Sequence, residues 1–275
     1  MPPFHKYRDI EVEVTGQIGI IKLNRPEALN AFSSVLMSDV ISAIRELDEH
    51  SDTVFTVLTG KGRFFSAGVD VKGEEIGLGD VPAAEKKVRA LSKLARATEM
   101  LRLIIDHKKV FVLALNGPGV GGGAAWFQGV ADIVLAAEGA WMQVPFSALG
   151  LVPENGSAIN FAQSMGVHRA NDFLMFGRKL TAEELEQWGL VNRIFPANDF
   201  HKRVVEFLED QLAVNDGKSM METKRLQNAP LRDGRIIALF NSIDALAERI
   251  VEDAPTKRFM EKKKELKLKS KGSKL

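Results

Sequence analysis

Apolar and polar positions change their period several times along the chain, and each change predicts an element. Glu11 to Thr15 and Ile18 to Leu23 are rich in β-branched residues and meet at Gly16-Gln17, which predicts two strands joined as a hairpin. Leu36, Val40, Ile44 and Leu47 recur at helical spacing behind Ser33 and Ser34, either of which can cap the helix. Thr53 to Leu58 reads as a strand, and a glycine-punctuated loop follows from Gly60 to Gly68. Ile76 to Pro82 reads as a mobile loop ahead of a long charged helix from about Ala84 to Ile105. Val110 to Leu115 is continuously apolar, the pattern of a strand buried on both faces. Beyond it come a glycine run from Gly117 to Gly123, a short helix, and a second buried strand at Ile133 to Ala136. After Ser157 the pattern is mainly helical, with one strand-like piece near Leu190 to Ile194. Strands alternating with helices, then a helical run, predict an α/β core with a helical C-terminal extension and no internal repeat.

Composition narrows the classes of function. The chain has 275 residues, 45% hydrophobic and 27% charged, which excludes wholesale disorder and allows a sizeable core. The net charge of +1 hides an asymmetry: Lys257 to Leu275 carries nine basic residues against Glu261 and Glu265. The remainder holds 28 basic and 34 acidic residues, so the basic segment is either an anion-binding element or a solvated helix face with a frayed tail. No cysteine is present, which excludes disulfides, thiolate metal sites and a cysteine nucleophile. The five histidines are scattered without metal-ligand spacing, so no metal site is expected. No apolar run is long enough to span a membrane, and the N-terminus has no apolar signal core. No nucleic-acid partner is expected. Ser273-Lys274-Leu275 matches a peroxisomal address, which implies an import receptor as partner and the peroxisome as location.

Two turns are candidates for chemistry. Gly117-Pro118-Gly119-Val120-Gly121-Gly122-Gly123 follows a buried strand and opens a helix. Through Gly117, Gly119 and Gly122 it fits a dinucleotide fingerprint, with Glu138 at a plausible distance, although Pro118 sits inside the phosphate turn. The same glycines can serve only close helix–sheet packing. A third use is to present a backbone N–H to developing negative charge. Phe64 to Asp70, after another strand, can supply a second N–H, and two such donors make an oxyanion hole.

These residues carry a resemblance. Leu23-Asn24-Arg25-Pro26-Glu27-Ala28-Leu29-Asn30-Ala31, Phe65-Ser66-Ala67-Gly68-Val69-Asp70 and Asn116 to Gly123, in that order and spacing, closely resemble the crotonase (enoyl-CoA hydratase/isomerase) superfamily from about residue 7 to 265. The resemblance implies an α/β, crotonase-like spiral of ββα units with a helical C-terminal trimerisation region. The expected division is a core over 1–200, a helical region over 201–265 and a flexible tail over 266–275, assembled as a homotrimer or hexamer. It implies an acyl-CoA thioester substrate, its oxygen held by the N–H groups of Val69 and Gly122. No cofactor is implied beyond the CoA of the substrate. Arg25, Ala28, Ser66, Ala67, Gly68 and Asp70 would line the CoA site, with Arg25 near a phosphate or simply at the surface. Phe259 and Lys262 in the basic terminal helix would reach CoA, either their own or that of a neighbouring subunit.

The acid–base residues decide the reaction. Family hydratases carry two glutamates where this chain has Ala125 and Phe146, so ordinary hydration loses its apparatus. Pro145 to Gly156 instead resembles the Δ3,Δ2-enoyl-CoA isomerases, with Glu154 at the position of their single base and Asn155 inserted before the glycine. The alternative role for Glu154 is at the start of the helix near Ser157. Trp126, Phe127, Phe146 and Leu149 are candidates for an apolar wall that would raise the Glu154 pKa, Phe146 also meeting substrate. Asp70 is expected to cap the helix or turn after its loop, and Asp132 to be structural. The expected activity is isomerisation of 3-enoyl-CoA to 2-trans-enoyl-CoA in fatty acid β-oxidation. The alternatives are a specialised hydratase or dehydratase of secondary metabolism, a non-catalytic acyl-CoA-binding trimer, and a dinucleotide oxidoreductase.

Overall fold

The computed structural model describes residues 5–70 and 79–261, without the side chain of Ala124. The expected loop at Ile76 to Pro82 therefore lies partly outside the described residues, and Lys262 and Ser273-Lys274-Leu275 wholly outside.

Strands β1 (Ile10–Thr15) and β2 (Ile18–Leu23) form the expected hairpin, with Gly16 at a positive φ of 55° in the turn. Helix α1 (Ser34–Glu49) follows, capped by Ser33, whose Oγ accepts from Leu36 N at 3.1 Å. Next come β3 (Phe55–Gly60), α2 (Ala83–Ile105) and β4 (Val110–Leu115). The glycine run contributes β5 (Gly119–Val120) and opens α3 (Gly122–Gln128). Then follow β6 (Ile133–Ala137), β7 (Trp141–Gln143), α4 (Ser157–Met165) and α5 (Val167–Phe176). Last are β8 (Lys179–Thr181), α6 (Ala182–Gln187), β9 (Arg193–Phe195), α7 (Phe200–Val214) and the 35-residue α8 (Gly217–Val251).

Six strands form one sheet in the order β1-β2-β3-β4-β6-β9, parallel except for the opening hairpin, and β5, β7 and β8 form a second. The apolar runs are continuous because the main sheet is covered on both faces. Ile21, Leu23, Leu58, Leu113 and Leu115 pack with Leu36, Ile44, Leu101 and Ile104 of α1 and α2. Residues of opposite parity, Ile18, Ile20, Val57, Val112 and Ala114, pack with Phe200, Val204 and Leu208 of α7.

The strand expected near Leu190 to Ile194 forms at Arg193–Phe195, because Leu190 N and Val191 N are spent on Leu185 O in the turn that closes α6. After α8 the chain turns at Glu252 and Asp253 and is helical again over 254–261. There Ala254 O lies 2.9 Å from the place a Gly150 side chain would begin, so this segment is pressed against the loop leading to Glu154.

Candidate functional site

Parallel neighbours β3 and β4 end at the same edge of the sheet, so the turns that follow them emerge side by side. Asparagines stitch the two together. Asn116 Oδ1 accepts from Gly60 N at 2.9 Å, and its Nδ2 donates to Gly62 O at 2.9 Å. Asn30, fully buried with φ of 54°, donates from Nδ2 to Lys61 O at 2.9 Å and Phe64 O at 2.8 Å. Ser66 pairs with Gly119 as a parallel bridge, and Val120 N donates to Ser66 O at 2.9 Å.

Glycine is required where the turns touch. Gly68 has φ of 95°, and a side chain there would begin 2.8 Å from Val120 O. At Gly123 an added Cβ would collide with Ser66 Oγ and lie 3.1 Å from Gly68 Cα. The turns bearing Val69 and Gly122 are therefore in direct contact. Among the described residues, neither the Val69 N–H nor the Gly122 N–H has a hydrogen-bond acceptor. Phe32 bridges Val69 by bonding its flanks, accepting from Asp70 N and donating to Gly68 O, which leaves the Val69 N–H unused.

Both turns line one cavity of about 400 Å³, walled mainly by apolar side chains that include Met37, Phe146, Leu149 and Leu246. Glu154 lies in that wall and is only 7% exposed. Its Oε2 accepts from Trp126 Nε1 at 2.8 Å and sits 2.7 Å from where a Gly122 Cβ would be. Oε1 has no partner among the described residues. Burial pushes this carboxyl up to about 7, and the Trp126 N–H, which favours the ionised form, opposes the rise. The helix beginning at Ser157 takes only the Glu154 main-chain carbonyl, from Ser157 N at 2.9 Å. The side chain is free to enter the cavity.

The other residues singled out in the sequence divide. Ala67, Gly68, Val69, Asp70, Gly122, Phe146 and Phe259 line the cavity with Glu154; Arg25, Ala28 and Ser66 do not. Ser66 is buried and spends its hydroxyl within the turn, donating to Asn30 O at 2.9 Å and accepting from Gly68 N at 3.1 Å. The segment that Asp70 is expected to cap lies outside the described residues. Asp70 Oδ2 accepts from Arg25 Nη2 at 3.0 Å, and Arg25 is also 3.5 Å from Asp9. Ala125 and Phe146 are both buried, closing the positions where hydratases of the resembled family carry carboxylates. Sequence reading missed the clamps made by Asn30 and Asn116. Both stand inside the quoted motifs, but only the partner turns reveal what their side chains hold. Among the described residues, no group of three His, Asp or Glu is placed to hold a metal ion.

The sequence profile described as Enoyl-CoA hydratase/isomerase matches residues 13–267. A Delta(3,5)-Delta(2,4)-dienoyl-CoA isomerase of Pyricularia oryzae is 33% identical over 237 residues, covering 80% of this chain and 83% of that protein. The peroxisomal Enoyl-CoA delta isomerase 3 of Mus musculus is 35% identical over 196 residues, 70% of this chain but 60% of that relative, less than two thirds of its length. An enoyl-CoA hydratase/isomerase crystal structure from Pseudoalteromonas atlantica T6c matches with a TM-score of 0.80 at 25% identity, covering 93% of this chain and 98% of that one. Three motifs in register, the paired turns and a match over most of the chain lead to one assignment: this protein is an enzyme of the enoyl-CoA hydratase/isomerase family, the crotonases.

Proposed function

We propose that the enzyme converts 3-enoyl-CoA to 2-trans-enoyl-CoA with Glu154 as its single acid–base group. The observation that carries this reading is a buried carboxyl, held by one indole N–H and with Oε1 unpartnered among the described residues, sharing an apolar cavity with two unused backbone N–H groups. The C2 protons of a 3-enoyl thioester are acidified by both the thioester and the adjacent double bond. Glu154 takes one of them, and the C2–H electron pair becomes the C1=C2 bond of a dienolate. The negative charge collects on the thioester oxygen, between the Val69 and Gly122 N–H groups, where each preorganised donor is worth about 10²–10³ in rate. The protonated carboxyl then delivers the proton to C4. The C3=C4 pair shifts to form the new C4–H bond, and the enolate pair forms C2=C3. Electrons and protons balance within the substrate. A carboxyl raised to about 7 suits both halves, since base and acid forms are each accessible near neutrality.

A 1,5-shift, suggested by the name of the Pyricularia relative, is the second reading. It moves a proton from C2 to C6, four bonds away, whereas C2 and C4 are two bonds apart and within reach of one carboxyl. Among the described cavity-lining residues the only other carboxylate is Asp70, which is occupied by Arg25. The geometry therefore favours the 1,3-shift.

We extend the reading to fatty acid β-oxidation in peroxisomes, supported by Ser273-Lys274-Leu275 and by the peroxisomal mouse relative. A trimer is supported by family membership and by the exposure of Ile237 and Phe240 on α8. The deciding experiment incubates 3-enoyl-CoA with wild type and Glu154→Gln, following thioester conjugation and deuterium exchange at C2. Conversion and exchange by wild type, both lost in the variant, support the reading. Equal rates would remove Glu154 as the base, and a hydroxyacyl-CoA product would replace isomerisation by hydration.

A further inference from the structure

The two oxygens of Glu154 are not equivalent, and the cause lies in α3. Trp126 stands four residues after Gly122, and helical side chains lean back toward the preceding turn. The indole therefore lies over Gly122, where a Cβ would begin 2.6 Å from its Nε1 and Cε2. It is 2% exposed and tilted against the Phe32 ring at a centroid distance of 5.6 Å, so the direction of its N–H is fixed by packing. That N–H meets Glu154 Oε2 at 2.8 Å. An indole nitrogen is a donor and never an acceptor. While the contact holds, Oε2 accepts, and because the carbonyl oxygen of a protonated carboxyl is the better acceptor, the contact favours a proton on Oε1.

We propose that Trp126 is a positioning residue that reserves Glu154 Oε1 for the transferring proton, so that the same oxygen takes it from C2 and returns it at C4. This deepens the reading of Glu154 as the base and rests on it. With Oε2 withheld, the carboxyl works as a one-oxygen shuttle, which fits a transfer between carbons two bonds apart and opposes the longer 1,5-shift. The charged groups facing the same cavity are Asp70, held by Arg25, and Lys93 on α2. Burial and the indole alone account for the position of the Glu154 titration.

The test uses the full-length enzyme labelled with ¹⁵N at its three tryptophans. The indole N–H signal absent from Trp126→Phe is followed with pH. It should shift with a midpoint near 7 in wild type and stay flat in Glu154→Gln. In Trp126→Phe, the acid limb of kcat/KM should move up by about one pH unit. The plateau kcat should fall about tenfold with KM within about twofold, since orientation rather than binding is lost. A packing role alone would lower stability without moving the limb. If Trp126→Phe does not fold, the signal is assigned by elimination with Trp141→Phe and Trp188→Phe, and the titrations of wild type and Glu154→Gln decide the matter. A pH-invariant indole, or a Trp126→Phe enzyme with unmoved limb and plateau while Glu154→Gln is inactive, overturns the role of Trp126 alone. Full turnover by Glu154→Gln overturns the base and the positioning residue together.

Discussion

Two acids on different parts of the fold, one buried and one half-buried, meet opposite fates. Glu154, in the apolar cavity, has one neutral donor and is raised to about 7. Asp48, at the end of α1, also suffers burial, which alone would raise it. His107, with Nδ1 at 3.0 Å, and the Lys108 main-chain N–H at 2.7 Å outweigh that and hold it well below the usual carboxylate range. Beside it, Lys224 of α8 is buried against Asp132 at 2.8 Å and donates to Lys109 O at 2.6 Å. Desolvation is common to both places, so the number of hydrogen-bond donors facing the carboxylate, together with the nearby Lys108 ammonium at 3.3 Å, decides the outcome. A charge compensated in this way joins elements together, here α1, the connection between α2 and β4, the residue before β6, and α8. An uncompensated one is ready to exchange a proton.

The contrast breaks most visibly at Glu154. Glu154→Gln should lower the isomerisation rate by about 10³ or more, because a general base is removed while shape is kept. Thermal unfolding at pH 8 should show a variant at least as stable as wild type, since a neutral amide replaces an unpaired buried charge. The opposite holds for Asp132→Ala. It strands the Lys224 ammonium, whose side chain is 6% exposed, and should cost about 4 kcal/mol in urea unfolding. The remaining folded enzyme should keep kcat/KM within about twofold.

The sequence made one region far more readable than the other. The main-sheet strands and the long helices were legible because their apolar periodicity is local, and the cap at Ser33 follows from its place before that period. The cavity residues were legible only through the motifs. Nothing in periodicity says that Val69 and Gly122 meet, since that depends on β3 and β4 being adjacent. The two- and three-residue strands β5, β7 and β8 escaped because so short a stretch has no measurable alternation. Trp126 looked like an ordinary wall residue, because its hydrogen-bond partner lies 28 positions away. The His107–Thr56 contact, 51 positions apart, was illegible for the same reason.

A pH titration of stability sharpens the comparison further. The folded Glu154 pKa is raised above its unfolded value of 4.5 to about 7, so folding favours its protonated form. Stability from this group is full below about pH 4.5 and is lost as pH rises toward 7, by about 3 kcal/mol across the window. His107, lowered chiefly by burial, acts in the opposite sense and loses stability as pH falls below 6.5. Subtracting wild type from Glu154→Gln cancels His107. The difference should therefore grow from about pH 4.5 to 7 and then level off, as read from urea midpoints. A flat difference would mean that Glu154 is not desolvated in the folded enzyme.

The smallest effect tests whether the two regions are independent. His107 Nδ1 lies 3.0 Å from Asp48 Oδ1, and a carboxylate that close favours the neutral tautomer with its proton on Nδ1; in that tautomer Nε2 accepts from the Thr56 hydroxyl at 2.8 Å. Thr56→Val keeps the shape of the fully buried side chain but removes that donor, leaving a sealed ring nitrogen unpaired. The expected cost is about 1–2 kcal/mol in unfolding free energy, with kcat/KM unchanged. Thr56 and Glu154 share no hydrogen-bond partner, so Thr56→Val combined with Glu154→Gln should show additive stability changes within about 0.5 kcal/mol. A larger coupling would mean that strain at Thr56 travels along β3 into the turn bearing Val69. Proton chemistry at the cavity would then depend on the charge network that the comparison treats as separate.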